Sequence, residues 1–434
     1  MRSFFGFLLL GAACVSQFAL AAPGPAAPFT FGKDDLKLLD DSAAIDRQLE
    51  QRGLVYHDDR LEKYLSDLVK PILPAVTPDR VEWRFRILRE PFIGTMALPN
   101  GSVYVNSGLL ALLENDDQLA GVLAREITHV SNRDYYLFQR QYRERTMAAN
   151  VARLSSQVFQ PGAYMAIFLA ARYVSPFVMG VTLSGLGRQL ERNADENAAT
   201  LLKTTGRNPA QLARVFELLQ ERLEPEPLNE ISRNRRGFMD RIRNLEAVAG
   251  TTVSVQPIDS AYVVRMHAVI CQNIHLDLES RHFRTAAARA KRLIDGEPRV
   301  AETWYWMGES YRSLGPRAAE PSAKQQKDWE RNEAYYDQLK RTEQEEYNAL
   351  AATAEGKAAL DSNRARASES YEKALALDAA FARAHIGLGM LREQQNRERD
   401  AVAEYRKYLE QASAADEDRM RIARRVEALE HRNP

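Results

Sequence analysis

The stretch from Asn115 to Asp134, NDDQLAGVLAREITHVSNRD, constrains this chain more than any other. Leu119, Val122, Leu123, Ile127 and Val130 recur at helical spacing, so one face is apolar and needs a core to lie against. Asn115, Asp116 and Asp117 offer cap oxygens and negative charge at the start of such a helix, where unpaired N–H groups and the positive end of the dipole lie. Arg125 and His129 are four residues apart and therefore share a face, with Glu126 beside them.

With histidine in place of Arg125, the segment Arg125-Glu126-Ile127-Thr128-His129 would read H-E-x-x-H. That pattern works because two imidazoles one turn apart can meet one metal ion, while the intervening glutamate activates the metal-bound water. Here the first imidazole is replaced by a guanidinium. Whether the chain is an enzyme turns on that residue.

A chain of 434 residues is long enough for two to four domains. Lys+Arg and Asp+Glu both number 59, so net charge gives no reason to expect a nucleic acid partner. At the N-terminus, Met1-Arg2 precedes an apolar run from Phe4 to Val15, and Ala19-Leu20-Ala21 forms an A-x-A site. This reads as a secretory signal over 1–21 and predicts an exported or periplasmic protein. Cys14 suggests lipoprotein anchoring as the alternative. After cleavage Cys271 is the one remaining cysteine, which excludes an intrachain disulfide framework, and it reads as a buried packing residue.

Residues 22–34 are a Pro-, Ala- and Gly-rich lead-in. Helical patterning follows to Leu73. Val81 to Leu88 alternates apolar and charged residues as a half-buried strand does. Two further strands are expected at Thr95 to Leu98 and Ser102 to Asn106, joined at Asn100-Gly101, where both residues tolerate φ > 0. The expectation is a small antiparallel sheet beside the Glu126 helix. Residues 163–186 carry one charge, Arg172, and read as a packed hairpin or a surface touching a membrane; the run is short for a full span. Leu190 to Leu202 is helical, with Glu191 and Asp195 on one face. The basic run from Arg233 to Arg243 reads as a solvated face.

Beyond residue 254 the pattern is helical throughout. Small residues at fixed offsets, as in Ala382-Arg383-Ala384-His385-Ile386-Gly387-Leu388-Gly389, suit close stacking of paired helices and resemble the tetratricopeptide repeat. Such stacks bind protein partners. His267, His275, His282, His385 and His431 lie in this half and read as structural or surface residues. His57 lies far from the motif in sequence.

Met96-Ala97-Leu98-Pro99-Asn100-Gly101-Ser102-Val103-Tyr104-Val105, the Glu126 helix, the Glu191 to Asp195 segment and Asp240 to Leu245 together resemble the HtpX-like and outer-membrane-assembly protease family of gluzincin zinc metallopeptidases. The resemblance covers roughly residues 35–250. It implies an α+β fold: a mainly helical metallopeptidase-like domain with a small antiparallel sheet over 35–254, followed by an all-α tetratricopeptide-like solenoid over 255–434. It also implies Glu126 as general base, His129 and Glu191 as zinc ligands, and Asp195 as a carboxylate orienting a ligand imidazole. A permanently charged arginine cannot ligate zinc. Arg125 is therefore expected to pair with Asp195 or Glu191. The favoured reading is a zinc-deficient pseudopeptidase or chaperone-like binder in envelope protein quality control, holding a polypeptide through its repeats. The alternatives are an active zinc metalloendopeptidase cleaving misfolded envelope proteins and a plain scaffold.

Overall fold

The structure is a computed structural model and describes residues 29–91, 93–137, 185–221, 235–252, 257–320 and 342–432. The expected signal segment 1–21 and the apolar stretch up to residue 184 lie outside the described residues.

The N-terminal part begins with α1 (Lys33–Gln51), a two-residue strand β1 (Val55–Tyr56) and α2 (Asp59–Val69). Asp58 caps α2, its carboxylate accepting from the N–H groups of Arg60 and Leu61. Three strands follow: β2 (Arg84–Leu88), β3 (Thr95–Ala97) and β4 (Ser102–Asn106). The alternation read from Val81 becomes ladder only at Arg84, after a turn in which Arg80 takes φ 64°.

The sheet differs from the expected one in connectivity. Its order is β1-β2-β4-β3, and β2 pairs with β4 in parallel, so the sheet is mixed rather than antiparallel. Burial explains the order. Val103, Tyr104 and Val105 are fully buried on both faces, which requires the centre of the sheet, whereas β3 is half-exposed and takes the edge. The turn between them also departs from expectation: only Gly101 has positive φ, at 95°. Pro99 fixes its own φ in the negative range, leaving the reversal to the glycine, where an added Cβ would lie 2.6 Å from the Glu82 carbonyl oxygen. Asp46 of α1 fastens this corner, accepting from the Asn100 amide, the Ser102 hydroxyl and the Tyr104 hydroxyl at 2.7–2.9 Å.

After the short α3 (Ser107–Leu110) comes α4 (Asp116–Ser131), the helix around which the sequence is built. Asn115 caps it through the Gln118 N–H. Beyond it lie α5 (Gly185–Thr204), α6 (Ala210–Gln220) and α7 (Arg235–Ala249). Gly121 lets α4 close on Leu202 of α5 and Leu212 of α6; a Cβ there would meet them at 3.1–3.3 Å.

The C-terminal part is helical: α8 (Ser260–Glu279), α9 (Phe283–Gly296), α10 (Ala301–Leu314), α11 (Glu343–Ala351), α12 (Ala354–Leu377), α13 (Arg383–Gln394), α14 (Glu398–Gln411) and α15 (Arg419–Arg432). Most helices pack on the next one in the chain, but α10 packs on α12, with α11 set against α12. Gly308 and Gly387 receive the ring of Tyr371 between them, and a Cβ at either would sit within 2.5 Å of it. One core cluster runs without interruption from Leu61 through Val103, Leu123 and Leu212 to Tyr262, Ile274 and Met307. It thus includes residues from both sides of position 254.

Candidate metallopeptidase-like site

The five side chains singled out from sequence meet on α4 and α5. Helical spacing puts Arg125 and His129 on one face of α4, and Glu191 and Asp195 on the facing surface of α5. All are largely withdrawn from solvent: the side chain of Arg125 is 16% exposed, Glu126 6%, His129 8%, Glu191 19% and Asp195 4%.

Arg125 is the hub. Its Nε donates to Asp195 Oδ1 at 2.9 Å, its Nη1 to Glu126 Oε1 at 3.1 Å, and its Nη2 to Glu191 Oε2. The expected pairing is therefore present with both carboxylates at once. Burial alone would favour losing the proton, but Glu191, Asp195 and Glu126 outweigh it and hold the guanidinium charged, with its pKa above the usual value. Burial would likewise raise the Glu191 carboxyl. The charges of Arg125, Arg241 and His129 reverse that and bring it down to about 2.

Glu126 also accepts from the Thr95 hydroxyl at 2.7 Å, so the sheet edge β3 contributes to the site. His129 Nδ1 lies 2.7 Å from Asp134 Oδ2, and its Nε2 faces Glu191 Oε1 at 3.5 Å. Burial opposes charge on this ring, but the Asp134 hydrogen bond prevails and raises its pKa. The turn that brings Asp134 back under the histidine passes through Arg133, at φ 57°.

A residue not singled out from sequence completes the cluster. Arg241 of α7 donates from Nε and Nη2 to the two Asp195 oxygens, both at 2.7 Å, and its Nη2 lies 3.5 Å from Glu191 Oε2. Its guanidinium stacks on the Phe216 ring at 4.1 Å. The solvated-face reading of the 233–243 run is thus corrected at Arg241. It holds at Arg243, whose side chain is 68% exposed. Periodicity could not have separated the two, because the carboxylates they choose between lie some 45 residues earlier in the chain. His57 stands apart, exposed, against Glu50 and Glu62.

The donor set does not fit zinc. His129 Nε2 and Glu191 Oε1 have the separation of two ligands on one ion, but the third corner is a cation already bonded to the same glutamate.

A mixed sheet whose edge strand touches a helix carrying Glu126 and His129, faced by a second helix carrying Glu191 and Asp195, defines a metallopeptidase-like domain. Residues 59–267 match the model of peptidase family M48, so this stretch is similar to an M48 peptidase domain. Among curated relatives, the mitochondrial metalloendopeptidase OMA1 of Schizosaccharomyces pombe is 34% identical over 74 residues, 17% of this chain and 21% of that protein. The protease HtpX homolog of Nostoc punctiforme is 29% identical over 188 residues, 39% of this chain and 58% of its own length. The beta-barrel assembly-enhancing protease of Escherichia coli K12 is 24% identical over 184 residues, 40% of this chain and 35% of its own length. The chain thus spans less than two thirds of each of these relatives.

Proposed function

We propose that this protein is a metal-free relative of the M48 peptidases that binds polypeptides rather than cleaving them, in envelope protein quality control. The observation that carries this is the Arg125 guanidinium, bonded at once to Glu126, Glu191 and Asp195. A guanidinium cannot leave a buried carboxylate cluster without exposing uncompensated charge, and it cannot itself ligate a metal. Glu126, the general base of the family resemblance, is here an acceptor for Arg125 and Thr95.

The binding role rests on the helical pairs and on the names of relatives that act in β-barrel assembly. A groove of about 770 Å³ among the last helices is lined by Arg312, Met390, Glu393, Tyr405 and Arg425, a mixture of charge and apolar surface suited to an extended chain. A periplasmic setting fits the signal-like N-terminus. Among the described residues no helix is long and apolar enough to cross a membrane. Contact of residues 163–186 with lipid belongs to the same proposal.

The test is hydrolysis of an unfolded outer-membrane β-barrel protein in the presence of zinc, with wild type beside Glu126→Gln. Equal, background hydrolysis by both is the expected result. Proteolysis that depends on Glu126 would overturn the proposal in favour of an active endopeptidase. In a Cys271→Ser background, Arg125→His is expected to create zinc binding through His129 and Glu191.

A further inference from the structure

A second group of metal-ligating side chains lies away from Arg125, where the family-matched region ends and the helical pairs begin. His267 and Cys271 are one turn apart on α8, the same i, i+4 spacing that serves metal helices. Counting histidines alone hides this pair. Glu302, in the first turn of α10, meets it from across the joint. His267 Nε2 lies 3.5 Å from Cys271 Sγ and 3.2 Å from Glu302 Oε2, and all three candidate ligand atoms fall within 4.8 Å of one another.

These separations can be judged against bond lengths. Zinc bonds of about 2.0–2.1 Å to nitrogen, 2.3 Å to sulfur and 2.0–2.2 Å to oxygen give tetrahedral edges of roughly 3.3–3.6 Å. Of the two edges through the imidazole, that to sulfur at 3.5 Å falls in this range and that to oxygen at 3.2 Å lies just below it. The surroundings match as well. The other ring nitrogen of His267 lies 2.6 Å from Glu297 Oε2, the carboxylate–histidine arrangement that fixes a metal-bound imidazole. The second oxygen of Glu302 accepts from the Trp306 indole at 3.3 Å, which orients the first. Cys271 is 6% exposed while the Glu302 side chain is 36% exposed, so the cluster is closed on the thiol side and open to water for a fourth ligand.

We infer that His267, Cys271 and Glu302 bind Zn²⁺, with Glu297 holding the imidazole, and that the ion staples α8 to α10. Thiolate, imidazole and a single carboxylate select zinc over the harder magnesium and calcium. The site shares no residue with the Arg125 cluster, so the two proposals stand or fall separately. It also changes the reading of Cys271, whose sulfur faces a polar cluster rather than packing alone.

The experiment uses the intact mature chain, stripped of metal and titrated with Co²⁺ and then Zn²⁺. One equivalent of cobalt should give thiolate-to-cobalt charge-transfer absorption, which zinc then abolishes. Cys271→Ser, with its fold verified by circular dichroism, should lose that band and bind at least tenfold more weakly. Glu297→Gln should keep the band and weaken binding about 10- to 100-fold. His129→Ala, with its fold verified in the same way, should keep the band and the affinity. Absence of the band in the folded wild type, or undiminished binding in Cys271→Ser, would overturn the inference. Stoichiometric metal lost in His129→Ala but kept in Cys271→Ser would overturn it too, and would also defeat the metal-free reading of the Arg125 helix.

Discussion

Asp195 is the residue on which two guanidiniums converge, Arg125 through Oδ1 and Arg241 through both oxygens. Removing one partner of a buried ion pair leaves the other charge uncompensated, at a cost of about 3–5 kcal/mol. Asp195→Ala should therefore lower unfolding free energy by that amount in urea, whereas Arg243→Ala, on the solvated side of α7, should change it by less than about 0.5 kcal/mol. Glu191 gives the cluster a pH signature. Its folded-state pKa, about 2, lies below the value of 4.5 for an unperturbed carboxyl, so its contribution is complete above about pH 4.5 and is lost as pH falls toward 2. The size, at 1.36 kcal/mol per unit, is about 3 kcal/mol. Glu191→Gln should flatten that acid limb in denaturation measured across pH. Helical spacing made it legible that Arg125 shares a face with His129 and Glu191 with Asp195; that the two faces meet was legible only through the family resemblance. Arg241 was not legible, since its partners come from another helix and a basic run is ordinarily solvated. The joint cluster was legible only in part: the His267–Cys271 spacing is local, but Glu302 is brought in by the fold.

At the scale of elements, existence and order were readable, and connectivity was not. Strands β2, β3 and β4 announced themselves by alternation and by the Asn100-Gly101 turn. Their arrangement depended on which strand is buried on both faces, and a five-residue strand does not disclose that by period alone. The two-residue β1 was too short to leave any pattern. Among the C-terminal helices the small residues were the informative ones. A helical glycine replaced by alanine is ordinarily favourable by about 0.5–1 kcal/mol. At Gly387 the sign reverses, because the new methyl would lie 2.3 Å from Tyr371 Cε1. Gly387→Ala should lower the melting temperature, with an overpacking cost of about 1–3 kcal/mol. A thermal scan against wild type checks it.

At the scale of the whole molecule, the change of sequence character near residue 254 does not mark a break in packing. The Tyr262 hydroxyl donates to the Leu110 carbonyl, and Val263, Met266 and Ile270 sit in the same core as Leu119 and Leu123. A chain cut after residue 254 should therefore expose apolar surface, bind a hydrophobic dye and aggregate on size exclusion, whereas the full-length chain should remain monodisperse. Two arginines of α9 carry the polar side of the same contact. Arg289 donates to the carbonyls of Gly108 and Pro91, and Arg292 to those of Leu112 and Leu113, just ahead of the cap of α4. Every acceptor in that set is main chain. Side chains at those four positions can vary across descendants without breaking these hydrogen bonds, so this part of the contact leaves no correlated pair of substitutions; co-variation between the halves belongs instead at side-chain pairs such as Arg265–Asp116 and Ser107–Asn273.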